Sequence, residues 1–148
     1  MHKVEISITI RCPKLKAYNT LKEMERFPEY MKFVKNIKVL ERSEKKFVTF
    51  WQLEIDGAPL TWRQEDYFDP DNFEIKFKML EGDYQHYEGG WKVLDFDKNH
   101  CRITAEAQFD WGIPVLEAYV KKTLERKAKL ALGGMLRALK NKLESENV

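Results

Sequence analysis

The chain has 148 residues, enough for one domain whose core buries roughly 70% of the surface the unfolded chain exposes, so no disulfide or metal is needed to hold it together. Hydrophobic residues make up 43% and charged residues 34%, with a net charge of +2 and both signs mixed throughout. The concentrated basic stripe of a nucleic-acid binder is absent, and so is any apolar run of about 18 residues that would span a membrane.

Val4, Ile6, Ile8 and Ile10 alternate with polar residues and read as a half-buried strand. Pro13 ends the pairing and suits a first helical turn. Leu15, Tyr18, Leu21 and Met24 then follow at helical spacing, Phe27-Pro28 breaks that helix, and Glu29 to Phe33 allows a second short one. From Asn36 the period changes to two. Ile37 and Val39 open a strand, and Phe47, Thr49, Trp51, Leu53 and Ile55 form the next apolar face. Asp56-Gly57 signals a hairpin, and Leu60, Trp62, Gln64, Asp66 and Phe68 return along the same face. After the turn cluster 69–72 come Phe73 to Met79, then Tyr87 to Val93, then Ile103 to Phe109. Every strand is amphipathic and hairpin-spaced, which predicts one antiparallel sheet with one covered face and with the first strand beside the last.

Gly112-Ile113-Pro114 punctuates the end of the sheet, and Pro114 to about Glu144 predicts one helix, roughly 46 Å long if straight. Its apolar direction shifts along its length. Leu116, Val120 and Leu124 define the first half, with Tyr119, Thr123 and Lys127 mixed into the inward direction. Ala128, Leu132, Met135, Leu136, Leu139 and Leu143 define a richer packing face in the second half. The second half should anchor the helix, and the first half should roof a less completely filled space. Gly133-Gly134 interrupts the anchored half, and we expect close approach of another backbone or a bend there.

The covered sheet face carries Trp51, Trp62, Phe77, Tyr87, Trp91 and Phe109, with Gln64 and Asp66 among them. Apolar walls with a few convergent polar groups are what small-molecule sites look like. Burying an amide or a carboxylate without partners costs on the order of 1–3 kcal/mol or more, so these two polar residues are the informative ones. The expected ligand-binding set is Trp51, Trp62, Gln64, Asp66, Phe77, Tyr87, Trp91, Phe109, Tyr119 and Thr123. Catalytic residues are not assigned: no histidine pairs with Asp66, no serine has nucleophile-elbow spacing, and Gly82, Gly89 and Gly90 read as hairpin and strand-kink residues rather than a phosphate loop. Cys12, Cys101 and the scattered histidines match no ligand spacing, so no metal and no cofactor is expected. The amino terminus enters strand alternation without a signal-peptide core, which leads to the expectation of a cytoplasmic protein with reduced thiols.

Several stretches, taken in order, resemble the START-like, helix-grip superfamily, and within it the polyketide cyclase/dehydrase-type proteins and their coenzyme Q-binding relatives. They are Ile10-Arg11-Cys12-Pro13, Arg26-Phe27-Pro28-Glu29-Tyr30, Trp51 with Asp56-Gly57 to Trp62, Glu81-Gly82-Asp83-Tyr84, Gly89-Gly90-Trp91, and Phe109 to Pro114. The resemblance implies an α+β domain spanning residues 1–148, with about seven curved strands around the last helix and two short helices after strand one. It also implies a hydrophobic cavity for lipids, polyketides, quinones or hormones, without implying one activity. Aromatase/cyclase members are thought to use a tyrosine and an arginine at positions that here hold Val34 and Asp66, a departure that weighs against cyclisation of that type. Three readings follow: a binder or carrier of a hydrophobic, ring-containing molecule, a cyclase or dehydratase, and a protein-interaction module. The oligomeric state is left open.

Overall fold

The structure is a computed structural model that describes residues 2–55, 57–82, 85–110 and 114–146, with the side chains at 58, 114–121 and 124 outside the description. Each alternating segment forms a strand: β1 (His2–Ile10), β2 (Val34–Arg42), β3 (Lys46–Ile55), β4 (Ala58–Asp69), β5 (Glu74–Gly82), β6 (His86–Asp97) and β7 (His100–Asp110). They build one seven-stranded sheet in the order β1-β7-β6-β5-β4-β3-β2, antiparallel at every step. Strand one does pair with the last strand, in the register His2–Phe109 to Ile10–Cys101. Gly57 adopts φ +79° between β3 and β4, a conformation open to glycine. Asp56, its partner in the hairpin signal, lies outside the described residues.

The two short helices differ from the expectation in their bounds. Helix α1 covers Lys14–Lys22, and the second is a 3-10 segment, Met24–Glu29, with Pro28 inside it. The Glu23 N–H bonds back to the Thr20 carbonyl at 3.2 Å, which closes α1 before Met24. In a 3-10 helix residues three apart share a face, and Met24 and Phe27 are both buried on it.

Helix α2 covers Pro114–Glu146. Leu132, Met135, Leu136, Leu139 and Leu143 are buried, the anchored stripe read from the sequence. Polar clamps reinforce it. Lys140 Nζ donates to the Thr9 carbonyl at 2.9 Å, and the Glu144 carboxylate accepts the Arg11 backbone N–H at 3.0 Å. The glycine pair lies where the helix passes between the two edges of the curled sheet. A Cβ on Gly133 would stand 3.2 Å from Ile6 Cδ1 of β1, and one on Gly134 would stand 2.8 Å from Cε1 of Phe33, just before β2. The pair is therefore a place of close approach, but side chains make it and not the second backbone expected from the sequence. Among the described residues no helix is long and apolar enough to cross a membrane.

Candidate ligand-binding cavity

The concave face of the sheet and α2 do not meet everywhere, and a cavity of about 200 Å³ remains between them. Its aromatic wall follows from strand register. Trp51 on β3 lies opposite Trp62 on β4, and the two indoles stack with centroids 5.7 Å apart and planes 10° apart. Trp62 continues to Tyr87 at 5.3 Å, and Tyr87 stacks on Phe77 at 5.1 Å and 14°. Phe77 is paired with Gly89 on β6. A Cβ there would come within 2.8 Å of the Phe77 ring and 2.1 Å of the Glu106 carbonyl, so glycine is what lets the ring lie against the strand. Phe109 and Trp91 complete the ring-lined part, and Leu53, Ile55 and Leu60 extend it. On α2 the lining is small or flexible (Ala128, Ala131, Leu132, Met135). Such residues leave the space unfilled, and they belong to the half of α2 expected to anchor the helix; Leu116, Val120 and Leu124 of the half expected to roof the space lie outside the described side chains.

Behind the wall lies a closed polar network. The Trp51 indole N–H donates to Thr49 Oγ1 at 2.9 Å, and the Thr49 hydroxyl donates to Asp66 Oδ2 at 2.7 Å. From the other side, the Trp62 indole N–H donates to Gln64 Oε1 at 2.6 Å, and Gln64 Nε2 donates to Asp66 Oδ1 at 2.6 Å. Thr49 and Gln64 face each other across β3 and β4, so the pleat itself closes the circuit. Indole nitrogens only donate, and both arms end on the same carboxylate. Asp66 is 1% exposed, and burial pushes its carboxyl up to about 7, opposed by the hydrogen bonds from Thr49 and Gln64. The only signal for Thr49 as a partner in the amino-acid pattern is its place between Phe47 and Trp51 on the covered face.

The expected site residues divide. Trp51, Trp62, Gln64, Phe77, Tyr87, Trp91 and Phe109 are brought together on the cavity surface. Asp66 is not on that surface; it is one layer deeper, reached through Gln64. Its partners are a hydroxyl and an amide, not an arginine or lysine. Thr123 is exposed and does not line the cavity, because this stretch of α2 turns that side chain to solvent. Tyr119 lies outside the described residues. Lys127, which the helical periodicity placed among the inward residues, does line the cavity and is itself exposed, which puts it at the mouth. Beside Phe109, His2 stacks on that ring at 5.2 Å and approaches Glu125 of α2 at 3.6 Å. Cys12 and Cys101, 89 positions apart, place their sulfurs 3.8 Å from each other in the core. Among the described residues no group of three or more His, Cys, Asp or Glu side chains is placed to hold a metal.

Residues 11–136 match the family described as polyketide cyclase / dehydrase and lipid transport, and the chain belongs to that family. Among curated proteins it is similar to the ribosome association toxin RatA of Vibrio cholerae, 20% identical over 117 residues, covering 79% of this chain and 81% of the relative. Among solved structures, a protein of Thermus thermophilus superposes with a TM-score of 0.91 at 22% identity, covering 99% of each chain. The Zhui aromatase/cyclase of a Streptomyces species superposes at 0.90 with 16% identity, covering 99% of this chain and 96% of that one. A START superfamily protein of Mycobacterium smegmatis superposes at 0.83 with 17% identity, covering 98% and 99%. At these identities the superpositions establish the helix-grip fold.

Proposed function

We propose that this protein binds or carries a hydrophobic, ring-containing small molecule in the cavity between sheet and α2. The observation that carries this reading is the row of contacting rings, Trp51, Trp62, Tyr87 and Phe77, two stacked pairs joined by a tilted contact and exposed to a space of about 200 Å³. An apolar cavity of about 150 Å³ is enough to take up benzene. Rings offer flat, rigid contact area, and one amide in an otherwise apolar wall supplies a polar handle. Family membership and the aromatase/cyclase neighbour support the same class of ligand, and lipid-like molecules fall within it.

Carriage is favoured over cyclisation or dehydration by the position of Asp66. Acid–base catalysis needs a titratable group within hydrogen-bond reach of the substrate, and Gln64 stands between this carboxyl and the cavity. We further read residues 1–148 as a single START-like ligand-binding domain, working in the reducing cytoplasm, without nucleic acid as a partner. Native mass spectrometry of the protein purified from its own host tests the proposal. A co-purified apolar molecule, displaced by a planar aromatic probe that also quenches tryptophan fluorescence saturably, is the expected result. Absence of saturable quenching by any planar aromatic probe would mean that the aromatic wall is packing alone.

A further inference from the structure

The polar network behind the wall has a direction, and that direction specifies what the cavity presents. The Trp62 indole N–H can only donate and an ionised Asp66 can only accept. The Gln64 amide, held at 2.6 Å from each, has one orientation that satisfies both: Oε1 towards Trp62 and Nε2 towards Asp66. The flip of this amide is thus fixed by chemistry. An amide nitrogen carries two hydrogens. One is donated to Asp66, and the other has no hydrogen-bond partner among the described residues, on a residue that is 3% exposed and lines the cavity. A buried donor left without a partner is costly, so the occupant that suits this cavity supplies an acceptor to it.

We propose that Gln64 is the specificity determinant of the cavity and Asp66 its positioning residue, so that the site selects apolar ring compounds bearing a carbonyl-type oxygen over their hydrocarbon analogues. The inference rests on the cavity being a small-molecule site and adds which atom of the ligand is read. Thr49 and Trp51 brace the other carboxylate oxygen at 2.7 Å and, one bond further, 2.9 Å. Asp66 is therefore held from both sides and does not follow Gln64 if the ligand pulls on the amide. Two interactions made by Gln64 are then structural and one is functional, which distinguishes it from an inward amide that is merely satisfied.

The carboxyl of Asp66 titrates near neutrality, pushed up to about 7 by burial. Above that value the bond from Gln64 ends on a carboxylate and is charge-assisted, and below it the bond is neutral and roughly half as strong. Level with Asp66, β3 places Phe47 and β5 places Phe77. Its polar partners are Thr49 and Gln64, and no charged side chain is paired with it among the described residues. Among the described residues, Tyr87, Lys127 and the His2–Glu125 pair beside Phe109 are the other titratable groups near the cavity, and the hydrogen bonds of Asp66 go to Thr49 and Gln64.

The test compares 1-tetralone with tetralin, two bicyclic probes of nearly one shape that differ by a carbonyl oxygen, followed by tryptophan quenching and by the infrared carbonyl stretch of bound tetralone. At pH 8 the wild-type protein should bind tetralone about five- to tenfold more tightly, roughly what one hydrogen bond contributes, with the bound stretch moved to lower wavenumber. The preference should shrink as pH falls through 7. Asp66→Asn should make it independent of pH. Gln64→Met should abolish it while tetralin still binds. Equal affinities with an unshifted stretch would overturn the inference and leave the small-molecule reading standing. A preference that survives in Gln64→Met, or a pH dependence that survives in Asp66→Asn, would overturn the roles given to those residues. Failure of both probes to bind would remove the inference and the reading beneath it together. Should Gln64→Met not fold, the wild-type preference and stretch at the two pH values decide alone.

Discussion

The indole of Trp51 stacks on that of Trp62 across the β3–β4 ladder, 5.7 Å between centroids and 10° between planes, while each donates its N–H into a different arm of one buried network. The pair thus belongs to the wall of the cavity by its faces and to the interior of the sheet by its edges. Trp62→Phe separates the two contributions. It keeps a ring in the wall but removes the donor to Gln64 Oε1. Stability should fall by about 1–3 kcal/mol, the cost of leaving a buried acceptor unpaired plus some lost volume. Affinity for a planar aromatic probe should fall further than that loss of folding accounts for, because the amide is no longer held. Chemical denaturation and fluorescence titration on the same preparation check this, and parallel losses would assign the pair to packing alone.

Asp66 makes a second prediction, with a defined sign. Its carboxyl is raised in the folded protein from 3.8 to about 7 by burial. A raised acid favours the folded state while it is protonated. The stabilisation is fully present below about pH 4, is lost progressively as pH rises from about 4 to about 7, and is gone above that. About three pKa units correspond to roughly 4 kcal/mol at most. Asp66→Asn does not titrate, so its stability relative to wild type should climb across this window and then level off. Urea midpoints between pH 4.5 and 8 measure it. A difference between the two proteins that stays flat over the whole range would mean that Asp66 is ionised throughout.

Much of this arrangement is legible in the residues, and the parts that are not have physical reasons. Period-two alternation reports which side chains share a face, so the chain alone places Trp51, Trp62, Gln64 and Phe77 together. Alternation cannot report depth along a side chain. Asp66 shares the face of Gln64 yet lies outside the cavity surface, because the network draws it under the amide. Thr49 is visible only as a face residue, since its role depends on register across β3 and β4. Thr123 is misplaced by its spacing because helical periodicity gives a direction only relative to its own helix, and α2 turns that position to solvent.

The two cysteines illustrate the same boundary and carry a third prediction. Spacing of 89 residues says nothing, but Ile10 pairs with Cys101 at the end of β1, and Cys12 follows two residues on. The sulfurs are 3.8 Å apart, and the hydrogen bond with Cys101 holds the Cys12 thiol below its ordinary pKa while Cys101 is raised. Incubation with excess oxidised glutathione should transfer two electrons to that disulfide and leave an intramolecular Cys12–Cys101 bridge, with a mass loss of two hydrogens and release of two reduced glutathiones. Because the bridge closes a loop of about 90 residues, stability should rise by roughly 4.6 kcal/mol on the chain-entropy view. Both thiols are buried, so formation should be slow and should accelerate in mild denaturant. Cys12→Ser should form no intramolecular bridge and gain no stability; where denaturant exposes Cys101 it should stop at a mixed disulfide with one glutathione, releasing one reduced glutathione. A wild-type protein that keeps two free thiols even in mild denaturant would show that the pair cannot reach bonding geometry.

The last prediction concerns the glycine pair of α2, where two adjacent positions should respond with opposite signs. Glycine in a helix interior costs about 1 kcal/mol relative to alanine, so an Ala substitution stabilises wherever its Cβ finds room. At Gly133 the added carbon meets Ile6 Cδ1 at 3.2 Å and an Arg137 guanidinium nitrogen at 3.3 Å, both ends of side chains that can yield. Gly133→Ala should be neutral or stabilising by up to about 1 kcal/mol. At Gly134 the contact is 2.8 Å to Cε1 of the Phe33 ring and 3.3 Å to its Cζ, and a ring moves as a unit. Gly134→Ala should therefore destabilise by about 1–3 kcal/mol, the range for overpacking. The assignment to Phe33 is checked by a double-mutant cycle. In a Phe33→Ala background the clash is gone, and Gly134→Ala should there become stabilising by about 0.4–1 kcal/mol. A cycle in which the two substitutions simply add would move the constraint off Phe33. A stabilising Gly134→Ala in the wild-type background would show that the helix does not pass between the sheet edges as closely as the Phe33 contact requires.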